Sequence, residues 1–118
     1  MKTKELLRPA PETVRRIREL NDAFRTTFCG GRVMMTSGIA ALPEPTKAAI
    51  FAAIKAFADF DKGNDPHGEH DFVSIEVNGL GVLWKCDYYD RDIRFAADDS
   101  SDEKQTIRIG TIMLANEY

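Results

Sequence analysis

Both histidines of the chain and three carboxylates lie within a stretch of seven residues, and these side chains are the best suited to chemistry. The group is Asp65, His67, Glu69, His70 and Asp71. Imidazole nitrogens and carboxylate oxygens can bind a divalent metal, as in metal-dependent hydrolases and nucleases. The same residues also suit a polar loop that a histidine–carboxylate pair fixes onto a strand. We favour the structural interpretation, because Asp and Gly are ordinary turn residues.

A β-hairpin is predicted directly after this group and would position it. Apolar residues alternate with other residues over 72–77 and again over 80–86, and Asn78-Gly79 separates the two runs. Alternation on both sides of Asn-Gly is the strongest short-range signal for a hairpin. A two-residue loop pairs Val77 with Leu80, Ile75 with Val82 and Val73 with Trp84 on one face.

On the other face, the same register brings a histidine to a carboxylate. Phe72 lies opposite Lys85, and continuing the pairing by two residues places His70 opposite Asp87. Asp90 comes to the same end of the sheet. The metal-dependent alternative therefore uses a divalent ion with the ligands His70, Asp71 and Asp87, and the catalytic residues His70, Asp87 and Glu69.

Aromatic and aliphatic residues alternate with charged residues on this second face, which predicts a protein interface if no helix covers it. The alternative is that the first helix or a carboxy-terminal helix packs there as ordinary core. The candidate binding residues are Phe72, Leu83, Tyr89, Glu76, Lys85 and Asp90.

Charge narrows the class of partner. Residues 1–35 hold eight Lys and Arg against four Asp and Glu, whereas residues 61–118 hold six against thirteen. The acidic second half disfavours direct binding of nucleic acid at the hairpin. We therefore expect a protein partner, whose identity the sequence does not reveal.

The chain has no run of about 18 apolar residues that could span a bilayer. Residues 1–8 lack the apolar core of a signal peptide, so we expect a cytoplasmic protein without membrane contact. Two cysteines, Cys29 and Cys86, are too few for a disulfide framework or a four-thiolate zinc site. Neither composition nor motif predicts the oligomeric state.

The remaining elements predict an α+β fold. Residues 1–10 are predicted to be a flexible arm and residues 11–118 a single domain, which at 43% hydrophobic can bury one core. An antiparallel sheet of three to four strands, built on the Asn-Gly hairpin, is expected to pack against two or three helices.

Each element follows from a local pattern. The first helix begins at Pro11, buries a stripe from Val14 to Phe28, exposes charged residues including Arg25, and ends before Gly30-Gly31. A strand at 32–36 and a connection at 37–42 follow, and then a helix from about Glu44 whose stripe includes Phe57 and Phe60. After a loop at 61–71 and the hairpin, we predict a short third strand of the meander at Ile93 and Phe95 and a final helix within 102–116. For that last segment strand is the alternative, because Ile107, Ile109 and Ile112 are β-branched.

The sequence also resembles an uncharacterised bacterial family, domain of unknown function 3768, from about Ile17 to Tyr118. The resemblance rests on blocks that include Gly30-Gly31-Arg32-Val33, Gly68-Glu69-His70-Asp71-Phe72, Trp84-Lys85-Cys86-Asp87-Tyr88-Tyr89-Asp90 and Thr111-Ile112-Met113-Leu114. The family has an aromatic residue at the position of His67, which implies that His70 is the better candidate ligand. It has Val-Leu at the position of Ile109-Gly110, which favours the final helix.

The family carries no assigned activity, and relatives resemble cargo of mobile elements. The resemblance thus implies an accessory role, such as modulation of a host or defence protein. Together with the lack of a complete catalytic motif, it leads us to predict a non-catalytic protein without a cofactor that binds and modulates a partner protein. A metal-dependent hydrolase or nuclease using His70 and Asp87 is the alternative.

Overall fold

The Asn78-Gly79 turn organises the sheet, as the sequence predicts. In the computed structural model, which describes residues 11–118, both turn residues have positive φ, 51° and 81°. Two residues with positive φ are what a type I′ turn requires. The flanking strands pair in antiparallel register with Val77 opposite Leu80 and Phe72 opposite Lys85. The predicted hairpin register is therefore confirmed, whereas the predicted flexible arm, residues 1–10, lies outside the described residues.

The hairpin is the centre and one edge of a mixed four-stranded sheet. The strands lie in the order β1-β4-β3-β2, with β1 parallel to β4 and the other pairs antiparallel. This confirms the predicted α+β fold, and no helix among residues 11–118 is long and apolar enough to cross a membrane. The elements are α1 (Pro11–Thr27), β1 (Arg32–Met35), α2 (Ser37–Ala40), α3 (Glu44–Ala56), β2 (Phe72–Val77), β3 (Leu80–Tyr89), β4 (Ile107–Leu114) and a 3₁₀ turn (Ala115–Glu117).

The carboxy-terminal segment is a strand, so the preferred prediction of a helix within 102–116 is wrong. β4 pairs with β3 from Leu114 opposite Val82 to Ile107 opposite Tyr89. Without β4, one edge of the ten-residue β3 would leave its backbone N–H and C=O groups without partners. Ser100 and Glu103, whose spacing resembles a helix capping box, lie in the preceding loop, and Glu103 forms an ion pair there with Arg16 at 3.7 Å. Long-range pairing therefore overrides the local helical signal.

Three smaller predictions also need correction. The expected third meander strand at Ile93 and Phe95 is absent from the described residues; only an isolated bridge joins Tyr89 to Ala96 there. The predicted connection at 37–42 contains the one-turn helix α2. Helix α3 ends at Ala56, so Phe57 and Phe60 follow the helix instead of extending its stripe. Phe57 is already extended, with φ −63° and ψ 129°, which ends the helical hydrogen bonding.

The helices cover only one face of the sheet, and Trp84 is the centre of the core there. The Trp84 ring lies 5.7 Å from the Phe28 ring in a stacked arrangement and 5.4 Å from the Phe24 ring. Opposite strand β3, Gly110 leaves the space that the indole occupies, because a Cβ at this position would overlap three indole atoms. Ile50, Ile54 and Ile112 are among the fully buried residues of the same core. The core therefore depends on a glycine in the middle of β4.

Substitution of Gly110 with alanine is expected to lower the free energy of unfolding by about 3 kcal/mol, because overpacking moves the indole or the strand. Urea denaturation followed by circular dichroism measures this. In a Trp84→Phe background the same substitution should cost much less, since the two effects are coupled through one contact. Equal costs in both backgrounds would show that the indole does not cause the constraint.

Glu117 joins the carboxy-terminal 3₁₀ turn by hydrogen bonds to the segment that follows β1. Its carboxylate accepts hydrogen bonds from Thr36 Oγ1 at 2.6 Å, from the Gly38 amide at 3.1 Å and from the Leu114 amide at 2.8 Å. These hydrogen bonds lower the pKa of Glu117. The ionised carboxylate therefore stabilises the folded state, although it is exposed.

The sign of this shift predicts how stability depends on pH. A folded-state pKa below the unfolded value gives a contribution that is complete above the unfolded pKa and is lost as pH falls through the folded pKa. Glu117→Gln should therefore destabilise the protein at pH 7 and have a smaller effect at pH 3. Thermal unfolding of both proteins at the two pH values measures the difference. A difference that stayed constant between them would contradict the role of the charge.

Candidate functional site

His70 lies against helix α1 and does not face Asp87. Its Nδ1 lies 2.8 Å from Asp22 Oδ1, its Nε2 lies 3.4 Å from Asp65 Oδ2, and its ring stacks on Phe60 at 3.8 Å. Pairing of β2 with β3 begins at Phe72, and His70 has a φ of 55°, so the left-handed turn directs its ring toward the helices. The predicted pairing of His70 with Asp87 is therefore wrong.

The other predicted ligands are also dispersed. Asp87 lies on the opposite face of the sheet, where its Oδ1 is 3.2 Å from Lys85 Nζ. Glu69 Oε1 accepts a hydrogen bond from the Tyr88 hydroxyl at 2.7 Å. Asp71 is half-buried, and this burial raises the pKa of its carboxyl. Within residues 11–118, no three His, Cys, Asp or Glu side chains are arranged to hold a metal ion, and His67 is exposed.

A buried asparagine on helix α1 connects the polar loop to the sheet. Asn21 is 1% exposed, and its Nδ2 donates to the Glu69 carbonyl at 2.9 Å and to the Tyr88 hydroxyl at 2.7 Å. Its Oδ1 accepts a hydrogen bond from Arg108 Nε at 2.7 Å. One amide thereby joins α1, the loop before β2, β3 and β4. Asn21 is not among the residues predicted from sequence to be functional, although its spacing from Ile17 and Phe24 places it on the buried stripe.

Tyr88 and Cys86, which both contact Asn21, are protonated at neutral pH. Burial, together with the hydrogen bond to Glu69, raises the pKa of Tyr88 well above its usual range. Burial raises the pKa of Cys86 to about 12. Both groups therefore stay neutral at pH 7, where a general acid or base needs a pKa near the working pH. The network is suited to holding segments together.

Arg25 has a similar structural role, although it was predicted on the solvated face of the first helix. Its side chain is 3% exposed, and Nη2 donates to the Phe57 carbonyl at 2.9 Å while Nε donates to the Ile54 carbonyl at 3.3 Å. Nη1 also pairs with Asp22 at 3.1 Å. Carbonyls at the end of a helix lack intrahelical partners, so a cation from α1 satisfies the end of α3.

The face of the sheet away from the helices, here called the open face, carries most of the predicted binding residues. Strand register places alternate side chains there. Neither helix α1 nor a carboxy-terminal helix covers it, since α1 packs on the Trp84 side and the last segment is β4. The open face comprises Arg32 and Met34 of β1, Ile107, Ile109, Thr111 and Met113 of β4, Leu83, Lys85, Asp87 and Tyr89 of β3, and Phe72, Ser74 and Glu76 of β2.

Exposure differs strongly across the open face. Met34 is 54% exposed and Tyr118, whose ring centre lies 6.1 Å from that of Phe72, is 75% exposed. Phe72 and Tyr89 are half-buried, whereas Leu83 is only 7% exposed. Leu83 therefore adds little contact area, and Met34 and Tyr118, which the sequence analysis did not select, add more. Asp90, just beyond β3, accepts hydrogen bonds from the Asp92 and Arg94 amides and shapes the turn.

Removing the Asn21 amide should lower stability more than removing an exposed amide. Asn21→Ala leaves Arg108 Nε and the Glu69 carbonyl without their partner in a buried site, and we expect a loss of about 3 kcal/mol. Urea denaturation measures it, with Asn116→Ala, at an exposed position, as the matched control. Equal effects of the two substitutions would contradict the assigned role of Asn21.

No curated protein and no solved structure matches the chain. One family model, described as a protein of unknown function, DUF3768, matches residues 35–117, which is more than half of the chain. The match begins at the last residue of β1 and includes β2, β3 and β4, so it covers the hairpin and most of the sheet. The chain therefore belongs to the DUF3768 family of proteins of unknown function.

Proposed function

We propose that the protein acts without catalysis, by binding a partner protein through the open face of its sheet. The observation that carries this proposal is the asymmetry of the sheet: α1 and α3 pack on the Trp84 side, while Met34 and Tyr118 remain 54% and 75% exposed on or beside the other face. Met34 is in one row across the sheet with Thr111, Lys85 and Phe72, and Tyr118 lies beside Phe72 at the far end of that row. Large exposed apolar side chains on one face typically mark interaction sites.

The composition of the open face supports a protein partner. Aromatic residues and methionine are enriched in protein interfaces, and here Met34, Phe72, Tyr89 and Tyr118 supply them. The four-stranded sheet holds the backbones of Met34, Phe72 and Tyr89 in fixed relative positions, whereas Tyr118 follows the 3₁₀ turn. Little backbone freedom is therefore lost at the first three residues on binding.

The charges around this apolar centre indicate what the partner carries. Lys85 is already engaged with Asp87 at 3.2 Å, whereas Glu76 is exposed. Asp90 and Asp92 at the end of β3 are offset by Arg91 and Arg94 beside them. Arg32, at the opposite edge of the open face from Glu76, is also exposed. Opposite charges at the rim steer association and select partners. We therefore infer a partner with an apolar centre, a basic residue that faces Glu76 and an acidic residue that faces Arg32.

A non-catalytic role is supported by how the polar side chains are used. Glu69, Tyr88, Asn21 and Arg108 are hydrogen-bonded to one another or to the backbone, and the raised pKa of Tyr88 keeps it neutral. His70 and Asp87, on which the metal-dependent alternative depends, point to opposite faces of the sheet. Because no observation favours a metal-dependent hydrolase or nuclease, we propose no catalytic function.

The biological setting is part of the same proposal. The resemblance of relatives to cargo of mobile elements suggests that the protein acts in the bacterial cytoplasm and modulates a host or defence protein. A small binding module of this kind would inhibit its target or adapt it by covering a surface that the target needs. The partner's identity follows from the experiment below.

The experiment compares three immobilised baits in an extract of cells that express the protein. The baits are the wild type, an open-face variant with Met34→Glu and Tyr118→Glu, and a control with Ala52→Glu on the exposed side of α3. We expect one protein to be retained by the wild type and the control but not by the open-face variant. Loss of a central interface anchor typically costs at least about 2 kcal/mol.

That protein is then purified and its affinity for each bait is measured by calorimetry. The open-face variant should bind at least about thirtyfold more weakly than the control, as such a cost implies. Circular dichroism must show the same fold in all three proteins. Equal affinities for the open-face variant and the control would refute the proposed surface, and so would the absence of any protein that distinguishes them.

A further inference from the structure

A cleft at the amino-terminal end of β4 has an excess of positive charge in its walls. The cleft, of about 370 Å³, lies between the carboxyl end of α1, the Gly30-Gly31 turn and the start of β4. Arg32, Arg91 and Arg108 line it, together with one carboxylate, Glu103. Its volume falls within the range of about 300 to 1,000 Å³ that small-molecule sites occupy.

Arg108 is the most informative of these residues, because it is charged and only 3% exposed. Its Nε donates to the Asn21 side chain, its Nη2 donates to the Ser100 carbonyl, and its guanidinium lies over the Tyr88 ring at 5.1 Å, so its partners are neutral groups. Within residues 11–118 it forms no ion pair. Burial lowers its pKa, which reflects the cost of an uncompensated cation. A buried guanidinium in a cleft wall without a carboxylate partner is suited to bind an anion from solution.

The other groups of the cleft add to this preference. Arg32 and Arg91 are exposed, and neither forms an ion pair within the described part of the chain. Glu103 lies 3.7 Å from Arg16, which offsets its charge. The Gly30 and Gly31 amides donate no hydrogen bond within residues 11–118. The carboxyl end of α1 opposes an anion here, but its partial charge is about half an elementary charge, which is less than that of the three guanidinium groups.

We propose that this cleft binds a small molecule through an oxyanion group, a phosphate or a carboxylate, that the three guanidinium groups recognise. Arg108 provides a fixed donor whose position Asn21 and Ser100 determine. Arg32 and Arg91 provide further charge at the entrance. This site adjoins the proposed partner surface at Arg32 and Ile107, but Arg108 and Phe24 in its wall belong to the helix side of the sheet.

The chain contains a reporter for this site. Cys29 lines the cleft and is exposed, whereas Cys86 is buried and its pKa is raised to about 12. Iodoacetamide should therefore alkylate Cys29 selectively, because only a thiolate reacts. A ligand in the cleft should slow the reaction by limiting access to the thiol. Mass spectrometry identifies the modified residue and gives the rate.

The experiment measures this rate with increasing inorganic phosphate, with a phosphate monoester and with a dicarboxylate, all at constant ionic strength maintained with chloride. We expect saturable slowing by at least one of the three, and the most effective one identifies the preferred headgroup. Arg32→Ala and Arg91→Ala should each raise the half-saturating concentration by about tenfold, the effect of losing one charged hydrogen-bond partner. Arg94→Ala, an exposed arginine outside the cleft, is the control and should leave it unchanged.

The exposed arginines are chosen because Arg108 also supports the fold. If none of the three added anions slows the alkylation more than chloride does, any anion at the cleft is an adventitious ion only. That result would overturn the proposal. Equal effects of Arg32→Ala, Arg91→Ala and Arg94→Ala would also overturn it, because the cleft would then not be the binding site. The outcome is independent of the partner-binding experiment, which uses neither these residues nor the thiol.

Discussion

The buried amide of Asn21 is the interaction on which the arrangement of the chain's segments most depends. It bonds the loop before β2 through the Glu69 carbonyl, β3 through Tyr88 and β4 through Arg108. The apolar core around Trp84 supplies most of the driving force, but apolar contacts are not directional. A hydrogen-bonded network in a low-dielectric site allows only one arrangement, because each unpaired polar group there would be costly. Asn21 thus specifies how helix α1 is placed on the sheet.

How much of this could be predicted from sequence depended on the range of the interactions. The hairpin was predictable because Asn78-Gly79 and its flanking alternation are local signals. The identity of β4 was not, since its pairing with β3 and β1 is formed by residues far apart in the chain. Gly110 was a local signal against a helix. A glycine in a helix interior lowers stability by about 1 kcal/mol relative to alanine, whereas a glycine in a strand often marks a place where another group approaches the backbone closely.

The prediction of the candidate site was wrong for a different reason. The predicted register is correct at every pair from Phe72 to the turn. Its extension to His70 is wrong, because φ is 55° there and the strand has not begun. A single left-handed residue reverses the direction of a side chain, and composition does not reveal it when the residue is not glycine. Asn21 and Arg25 were missed because polar residues in an amphipathic helix are first assigned to solvent. Their positions next to Ile17 and Phe24 on the helical wheel were the only signal.

The two proposed surfaces are linked through β4. Its side chains alternate, so Ile107, Ile109 and Thr111 face the open face, while Arg108, Gly110 and Ile112 face the helices. An anion on Arg108 would contact a residue whose neighbours on the strand belong to the partner surface. Arg32, at the start of β1, lies beside both sites, because it pairs with Ile109 and also lines the cleft. The anion can change the affinity for the partner only if the open face has two conformations and the anion binds one of them more tightly than the other. A rigid four-stranded sheet offers little such difference, so the structure favours two sites that act independently, with Arg32 as the residue where charge could couple them.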